Sequence, residues 1–490
     1  MLNSISFPSI FYNSLKKNKR RCLHNSLKKN KRRCLQDMVV YNFMNKDKHF
    51  DETIWCHNRK ETSFWLEGLP EFNSISNKLP HRVDVAIVGS GYTGLNAALQ
   101  TIRGGRSSVV FEAGVPGQGC STKNGGQIST SIKPSLEKLS AKFGTQSGIA
   151  IRQEGENALN WIGDLITSEK IDCNFSRVGR YHAAHTQKHY ELITRDAEKV
   201  NRSEGIEAYA VPKNEQLKEL GSDVYHGGVV FPRHASVDPG KYHRGLLQRV
   251  IDAGVDVFSQ CAVLDIEQTP DGFVITTQKG KVKARDVIIA TNGYTSNLTP
   301  WLQKRVIPIG SYIIATDVLD PVMVNELFPT NRIASDTCKV IYYYRTSPDR
   351  KRILFGGRVS ATETNPLLSG PKLLKDLYRI FPQLEGTKIS HSWTGTVAYT
   401  FDEMAHTGQH NGIYYSIGYC GSGVSMASYL GMRLGQKVLG LVEGKTAFDD
   451  LPFPTRPLYN GRPWFLPAVV SWYRMQDRIQ YQQASRRVVA

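Results

Sequence analysis

The sequence predicts an α/β protein in which a nucleotide-binding lobe is interrupted by a second lobe, and three observations predict it. A β-branched run at 82–88 opens directly into Gly89-Ser90-Gly91-Tyr92-Thr93-Gly94 and a helical stretch. A second strand-like run, 107–111, ends on Glu112. Further apolar runs recur at 257–266, 273–277, 287–290 and 413–417, with polar helical stretches at 148–170 and 185–205 and an aromatic, strand-rich stretch at 306–357 between them. No long Pro/Ser linker separates these parts, so they read as interlocked lobes rather than independent domains.

The run 82–88 (RVDVAIV) has the composition of a strand buried on both faces. In the helix that follows, Leu95, Ala98, Leu99 and Ile102 share one face. Strand, GxGxxG, helix and second strand make a dinucleotide-binding βαβ unit. Gly89 permits the tight turn, Gly91 lets backbone approach a pyrophosphate, and Gly94 allows close helix packing. Tyr92 and Thr93 open the helix, whose unpaired N–H groups suit a diphosphate. Glu112, eighteen residues beyond Gly94, is placed to accept the ribose hydroxyls and disfavours a 2′-phosphate. This motif alone is compatible with NAD or FAD.

The next loop favours FAD. After Ala113, residues 117–127 include Cys120, Ser121, Asn124, Gly125, Gly126 and Gln127, a second cradle of glycines and small polar side chains within reach of the same cofactor. Another buried strand ends in the small-residue turn Ala290, Thr291, Gly293. A third loop, Gly418 to Val424 through Gly421, Ser422 and Gly423, precedes a helix whose N-terminus can face an electron-rich flavin ring.

On these motifs, VAIVGSGYTGLNAAL, FEAGVPGQGCSTKNGGQ, VIIATNGYT, ILFGGR, SWTG and IYYSIGYCGSGVSMA, the chain from about 81 to 479 resembles the FAD-dependent oxidoreductases of the D-amino-acid oxidase superfamily, most of all its gamma-glutamylputrescine oxidase branch. The resemblance implies a glutathione-reductase-type FAD lobe, split over 81–130, 225–300 and 400–445, and a substrate lobe on a mixed sheet from 131–224 and 301–399. A C-terminal docking segment would follow at 446–490. It places Val263 by the adenine, Ser121, Asn124, Gly126 and Gln127 near the flavin, and Gly418, Gly421 and Gly423 at the isoalloxazine, with FAD held noncovalently. The sequence departs from that branch in three places: Ser422 replaces a His, Asp238-Pro239 replaces His-Pro, and Ala405 replaces a Pro.

Flavin-dependent amine oxidation needs a C–H held over the ring beside an uncharged nitrogen, inside an apolar, aromatic enclosure with few polar anchors. No nucleophile-elbow, zinc-protease or metal-ligand spacing competes with this reading: His226, His234 and His243 are not at metal spacing. Strands 341–345 and 352–357 form an expected hairpin. In it Tyr342 and Tyr344 face one way while Tyr343 and Arg345 face the other, so one pair lines the cavity and the other packs. Tyr344, Arg345, Tyr312 and Trp393 are the candidate pocket residues, aromatic rings for an ammonium and Arg345 for a carboxylate. Asp238 and Pro239 read as N-cap and N1 of a helix.

Composition bounds the rest. Of 490 residues, 62 are Lys or Arg and 44 Asp or Glu, a charge of +18. Ten of those charges lie in residues 1–36, where NSLKKNKRRCL occurs twice in tandem without an acid, as expected of a solvated, disordered tail. The tail leaves one rival of another class, a nucleic-acid binder; the modest charge elsewhere argues against a nucleic-acid partner. Eight cysteines without a CxxC pair exclude a disulfide scaffold and point to a reducing, cytoplasmic setting. No run of about 18 apolar residues predicts a membrane span. The aromatic stretch 464–479 reads as a docked terminus or subunit interface, with peripheral membrane contact as its alternative, and oligomeric state is not specified. The expected reaction is oxidation of an amine or amino-acid C–N bond with O2 as oxidant; a dehydrogenase delivering electrons to a quinone or carrier protein is the alternative.

Overall fold

The computed structural model describes residues 51–70, 72, 78–130, 132–357 and 365–489, with side chains through 482; the duplicated tail lies outside them. The described residues from Cys56 onward form the unit that carries both lobes.

The first lobe is built on parallel strands. Arg82–Val88 lies between Ser108–Phe111 and Gly280–Ile289, and Asp256–Phe258 extends the sheet beyond Ser108–Phe111. Gly280–Ile289 meets Gly272–Thr277 with its first half and Ile413–Ile417 with its second. Val85, Ala86 and Ile87 are fully buried, because helices and loops cover both faces, which is why the run is β-branched rather than alternating. The register puts Val88 opposite Phe111 and Ile289, Phe111 opposite Phe258, and Ile289 opposite Tyr415. Four of these strands therefore end in register and Ile413–Ile417 runs two residues further, so that Gly89, Glu112, Ala290 and Gly418 follow at one edge of the sheet, where α/β folds place ligands.

The second lobe is a mixed sheet. Its neighbours run Ile389–Tyr399, Ile307–Thr316, Ile353–Gly357, Tyr343–Thr346, Ile333–Asp336, Arg180–Ala183, Gly228–Phe231 and Tyr209–Val211. Pairing among them is antiparallel except between Ile333–Asp336 and Arg180–Ala183. Gly228–Phe231 falls in the 225–300 segment expected in the first lobe, yet its hydrogen bonds go to the second sheet. The crossing back is made by Pro239–Asp252, whose N-cap Asp238 accepts from the Lys241 N–H at 3.0 Å. Pro366–Ile380 covers the outer face of this sheet with Leu373, Leu374 and Leu377.

The last helix, Leu466–Val489, is tied to the sheet by Asp477, which accepts from the Lys339 and Val340 N–H groups at 2.9 and 3.0 Å. Trp464 and Trp472 stay exposed. No helix among the described residues is long and apolar enough to cross a membrane.

Candidate cofactor and substrate site

The glycine loop is held in a shape that only small residues allow. Gly89 has φ +103°, and a Cβ on Gly94 would stand 1.9 Å from the Gly89 carbonyl oxygen. The helix Tyr92–Arg103 starts after Gly91 with no side-chain cap. Of its first amides, that of Tyr92 reaches the Ser121 hydroxyl at 3.1 Å, so the second cradle begins directly against the first. Glu112 accepts from the Ser90 amide and hydroxyl through Oε2 (3.1 and 2.6 Å) and from Gly114 N–H through Oε1 (3.0 Å). One Oε1 lone pair is left for a further donor. Ala113 is exposed beside it, and Cys261, two residues before Val263, donates its amide to the Glu112 carbonyl at 2.8 Å. His243 is buried, and desolvation pulls its pKa down to about 4. As a neutral imidazole it donates from Nε2 to the Ser90 carbonyl, 2.8 Å away, and braces the loop from behind.

A second helix N-terminus meets the same edge. Ile413–Ile417 runs into Gly418, Cys420 and Gly421, all at positive φ, and Ser422 precedes the helix Gly423–Val438 without capping it through its side chain. The amide of Gly418 donates to Asn292 Oδ1 at 3.0 Å, linking this loop to the turn that contains Ala290, Thr291 and Gly293. The Thr93 and Tyr419 hydroxyls meet at 2.7 Å, and Val424 is buried just inside the helix. Cys420 is buried, burial pushes its pKa up to about 12, and its thiol donates to the Gly418 carbonyl at 3.1 Å. It is a packed thiol, not a thiolate.

Opposite these loops stands the inner face of the second sheet. Trp393 Nε1 donates to Lys123 O (3.2 Å), Trp65 Nε1 to Asn124 O (2.7 Å), and one terminal nitrogen of Arg345 to both Gly126 O and Val237 O (3.1 and 2.8 Å). Tyr343 lies over Gly125, where a Cβ would stand 3.0 Å from its ring, and its hydroxyl meets Ser311 Oγ at 2.7 Å. Ser335 pairs with Tyr343 and His182 with Ser335, so these three form one row on that face; His182 Nδ1 lies 3.0 Å from Ser335 Oγ. Burial, then the charges of Arg180 and Lys133, hold His182 well below its usual pKa, as a neutral ring.

The four pocket candidates thus divide. Trp393 and Arg345 lie on the inner face. Tyr344 packs among Phe328, Phe355 and Phe381, with its hydroxyl on that of Tyr225 at 3.0 Å. Tyr312 pairs with Gly357, two residues from Tyr344's partner Phe355, and so points the same way, toward the covering helix. Arg345, engaged by two carbonyls, is committed to the Gly126 loop. Alternation had offered Tyr343 as Arg345's face-mate; Trp65, 58 residues upstream of Lys123, carries no sequence signal of its place.

His185, Cys338 and Asp477 also converge, with donor atoms within 4.8 Å of one another. Each is engaged: His185 with Thr337 Oγ1 and Gln480 Oε1 (2.7 and 2.8 Å), Cys338 with the Tyr481 hydroxyl (3.2 Å), Asp477 with two backbone amides. They form the seam of the C-terminal helix.

Two helix N-termini whose N-cap residues make no side-chain bond, and the carboxylate of Glu112, lie at one edge of the first sheet, with the aromatic inner face of the second sheet opposite. The cradles that a Cβ would fill at Gly91, 3.0 Å from Ser121 Oγ, and at Gly125 fit an extended dinucleotide with a flavin at its far end. This fold and site define an FAD-binding oxidoreductase. The chain belongs to the DAO family, FAD dependent oxidoreductase, whose model matches residues 84–437. It is 31% identical to the gamma-glutamylputrescine oxidoreductase of Escherichia coli over 405 residues, 81% of this chain and 93% of that one. It is 30% identical to a probable oxidoreductase OrdL of Rhizobium meliloti over 411 residues, 81% and 92% of the two chains. Among solved structures, glycine oxidase from Geobacillus kaustophilus superposes with TM-score 0.66 at 20% identity, over 77% of this chain and 99% of that one. The L-amino acid deaminase of Proteus vulgaris superposes with TM-score 0.63 at 16% identity, over 79% and 98%.

Proposed function

We propose that the protein oxidises the C–N bond of a primary or secondary amine or amino acid, with a gamma-glutamylputrescine-like amine favoured, to an imine that water hydrolyses to a carbonyl compound and an amine or ammonia. The observation that carries this reading is the convergence of the helices starting at Tyr92 and Gly423 on one crevice roofed by Tyr343, Ser335, His182 and Trp393. Gly89, Gly91, Gly94, Glu112, Ser121 and the Gly418–Val424 loop would hold FAD noncovalently; when bound it would supply the hydride acceptor, with O2 as the final oxidant and hydrogen peroxide as the product.

The chain's own residues orient and desolvate the substrate. The aromatic faces of Tyr343 and Trp393 exclude water from the reacting carbon. His182, neutral for the reasons given above, offers an acceptor for an amine N–H without adding charge, and Ser335 sets its ring. The FAD lobe is of the glutathione-reductase type in this reading, which the antiparallel run Val263–Thr269, Gly272–Thr277, Gly280–Ile289 beside the parallel strands supports. The substrate lobe comprises 131–224 and 301–399 together with Gly228–Phe231. The six cysteines described are all free, which supports a cytoplasmic setting.

Anaerobic mixing with gamma-glutamylputrescine, other gamma-glutamyl amines, sarcosine, proline, glycine and D-amino acids tests the proposal through bleaching of the 450 nm flavin band. Fast bleaching by an amine, followed by reoxidation in air with stoichiometric peroxide, is expected. Bleaching by none of them overturns the amine reading, and reoxidation by a quinone but not by O2 overturns the oxidase part.

A further inference from the structure

We propose that Arg345 is a positioning residue for the flavin: it clamps the cofactor loop at Gly126 to the substrate sheet, so that the substrate lobe sets FAD affinity. The inference rests on the FAD assignment and not on the identity of the amine.

The loop in question is part of the cofactor cradle on its own geometry. Ser121 touches the first turn of the dinucleotide helix at Tyr92 N–H, and the chain from there to Gln127 leads away from that helix across the face of the second sheet. Along this path the sheet side donates to one loop carbonyl after another: Trp393 to Lys123, Trp65 to Asn124 and Arg345 to Gly126. Gln127 then returns the contact, its side-chain amide donating to the carbonyls of Ala334 and Tyr344 at 3.1 and 3.2 Å.

Arg345 is the charged member of this series and the one that joins three segments. Its Nε donates to Thr346 O at 3.1 Å, within its own strand. Its terminal nitrogen bridges Gly126 O and Val237 O, the latter one residue before the cap of Pro239–Asp252. That helix also supplies His243 to Ser90 O and the Pro239 carbonyl to the Tyr92 hydroxyl (3.2 Å), so both ends of the glycine loop's support pass through the same element. Arg345 is 6% exposed, and its guanidinium carbon lies 5.5 Å from the Trp65 ring. Gly126 has φ +64°, and a Cβ there would stand 2.2 Å from Val237 O and 2.9 Å from the Arg345 nitrogen. The loop is thus pinched against the guanidinium with no room for a side chain. A planar fork satisfies two carbonyls and its own strand at once; an ammonium has one nitrogen for the same task.

The test is FAD affinity, read by flavin fluorescence during titration of deflavinated protein, together with the shape of the visible flavin band in the reconstituted protein. Arg345→Met is expected to weaken FAD binding at least tenfold and Arg345→Lys about threefold, both with an altered band. Guanidinium chloride at matched ionic strength against sodium chloride is expected to restore part of the affinity to Arg345→Ala. Arg332→Met serves as the control: that arginine, just before Ile333–Asp336, binds Glu219 and Val178 O and does not reach the loop. Its FAD affinity is expected to match wild type. FAD binding by Arg345→Met within twofold of wild type overturns the proposal, as does an equal loss in Arg332→Met, which would mark a general effect of weakening the sheet. If Arg345→Met yields no folded protein, Arg345→Lys decides, and an unchanged affinity and band there overturn it. Failure of the wild type to take up FAD would instead sink the flavoprotein assignment, a distinguishable result.

Discussion

Gly431 lies directly on Thr93: a Cβ on Gly431 would stand 2.4 Å from the Thr93 carbonyl oxygen. One turn later Gly435 meets Ala97 in the same way, at 2.9 Å. The helices Tyr92–Arg103 and Gly423–Val438 touch backbone to backbone, and this contact brings the amides that follow Gly91 and those that follow Ser422 to one crevice. Gly431→Val is therefore expected to lower stability by about 1–3 kcal/mol, as overpacking does, and to weaken FAD binding. Thermal melts with and without FAD check it; a variant with wild-type affinity would show that the spacing of the two helices is immaterial to the cofactor.

Glu112 is the charged group proposed to meet the ribose. Glu112→Ala removes a charge-assisted acceptor and leaves the Ser90 amide and hydroxyl without their partner. A loss of about 1.5–3 kcal/mol, roughly 10- to 150-fold in FAD affinity, is expected. Isothermal titration of the deflavinated protein measures it, and a change below twofold would remove Glu112 from the site.

Tyr343 and Tyr344 are neighbours in sequence with opposite assignments. Tyr343→Phe, which loses the bond to Ser311, is expected to raise the substrate KM severalfold at nearly unchanged melting temperature. Tyr344→Phe loses the bond to Tyr225 inside the aromatic core and should cost about 1 kcal/mol of stability while moving KM less than twofold. The reverse pattern would put the substrate on the outer face of the sheet.

Asp336 supplies a pH signature. Burial raises its pKa to about 7, although it accepts from the Tyr342 and Cys338 amides at 3.0 and 3.2 Å. In the unfolded chain the group titrates near 3.8. Between these values the native state holds the extra proton, so this residue's contribution to stability is full below about pH 4 and declines as pH rises toward 7. Asp336→Asn is expected to remove that decline, on the order of a few kcal/mol across the window at 1.36 kcal/mol per unit. Denaturant midpoints of both proteins at pH 4.5, 6 and 7.5 test it; parallel pH profiles would contradict it.

The strand, glycine loop and helix proposed to hold the nucleotide were legible because local chemistry specifies them. A glycine needed for φ +103° at Gly89, a buried strand before it, a helix N-terminus after it and an acid at Glu112 all lie within a short stretch whose geometry is set by chain connectivity. The turn from Gly418 to Gly421 and the helix that follows it were legible for the same reason. Two-residue alternation even separated Tyr342 and Tyr344 from Tyr343 and Arg345.

Which face turns inward is another matter, because alternation is symmetric until a second surface breaks it. Here the helix Pro366–Ile380 covers one side of the sheet and the loop Lys123–Gln127 the other. That choice sends Tyr344 and Tyr312 into the core and gives Arg345 to the Gly126 carbonyl. The strand Gly228–Phe231 likewise joined the second sheet because its unpaired edge groups met Arg180–Ala183 there. The sequence alone determined the class of cofactor and the backbone form of the glycine loops, since those depend on conformations that glycine and helix termini encode locally. Only the tertiary structure decided which side chains roof the crevice, since contacts such as Trp65 to Asn124 and Arg345 to Gly126 join residues 59 and 219 positions apart.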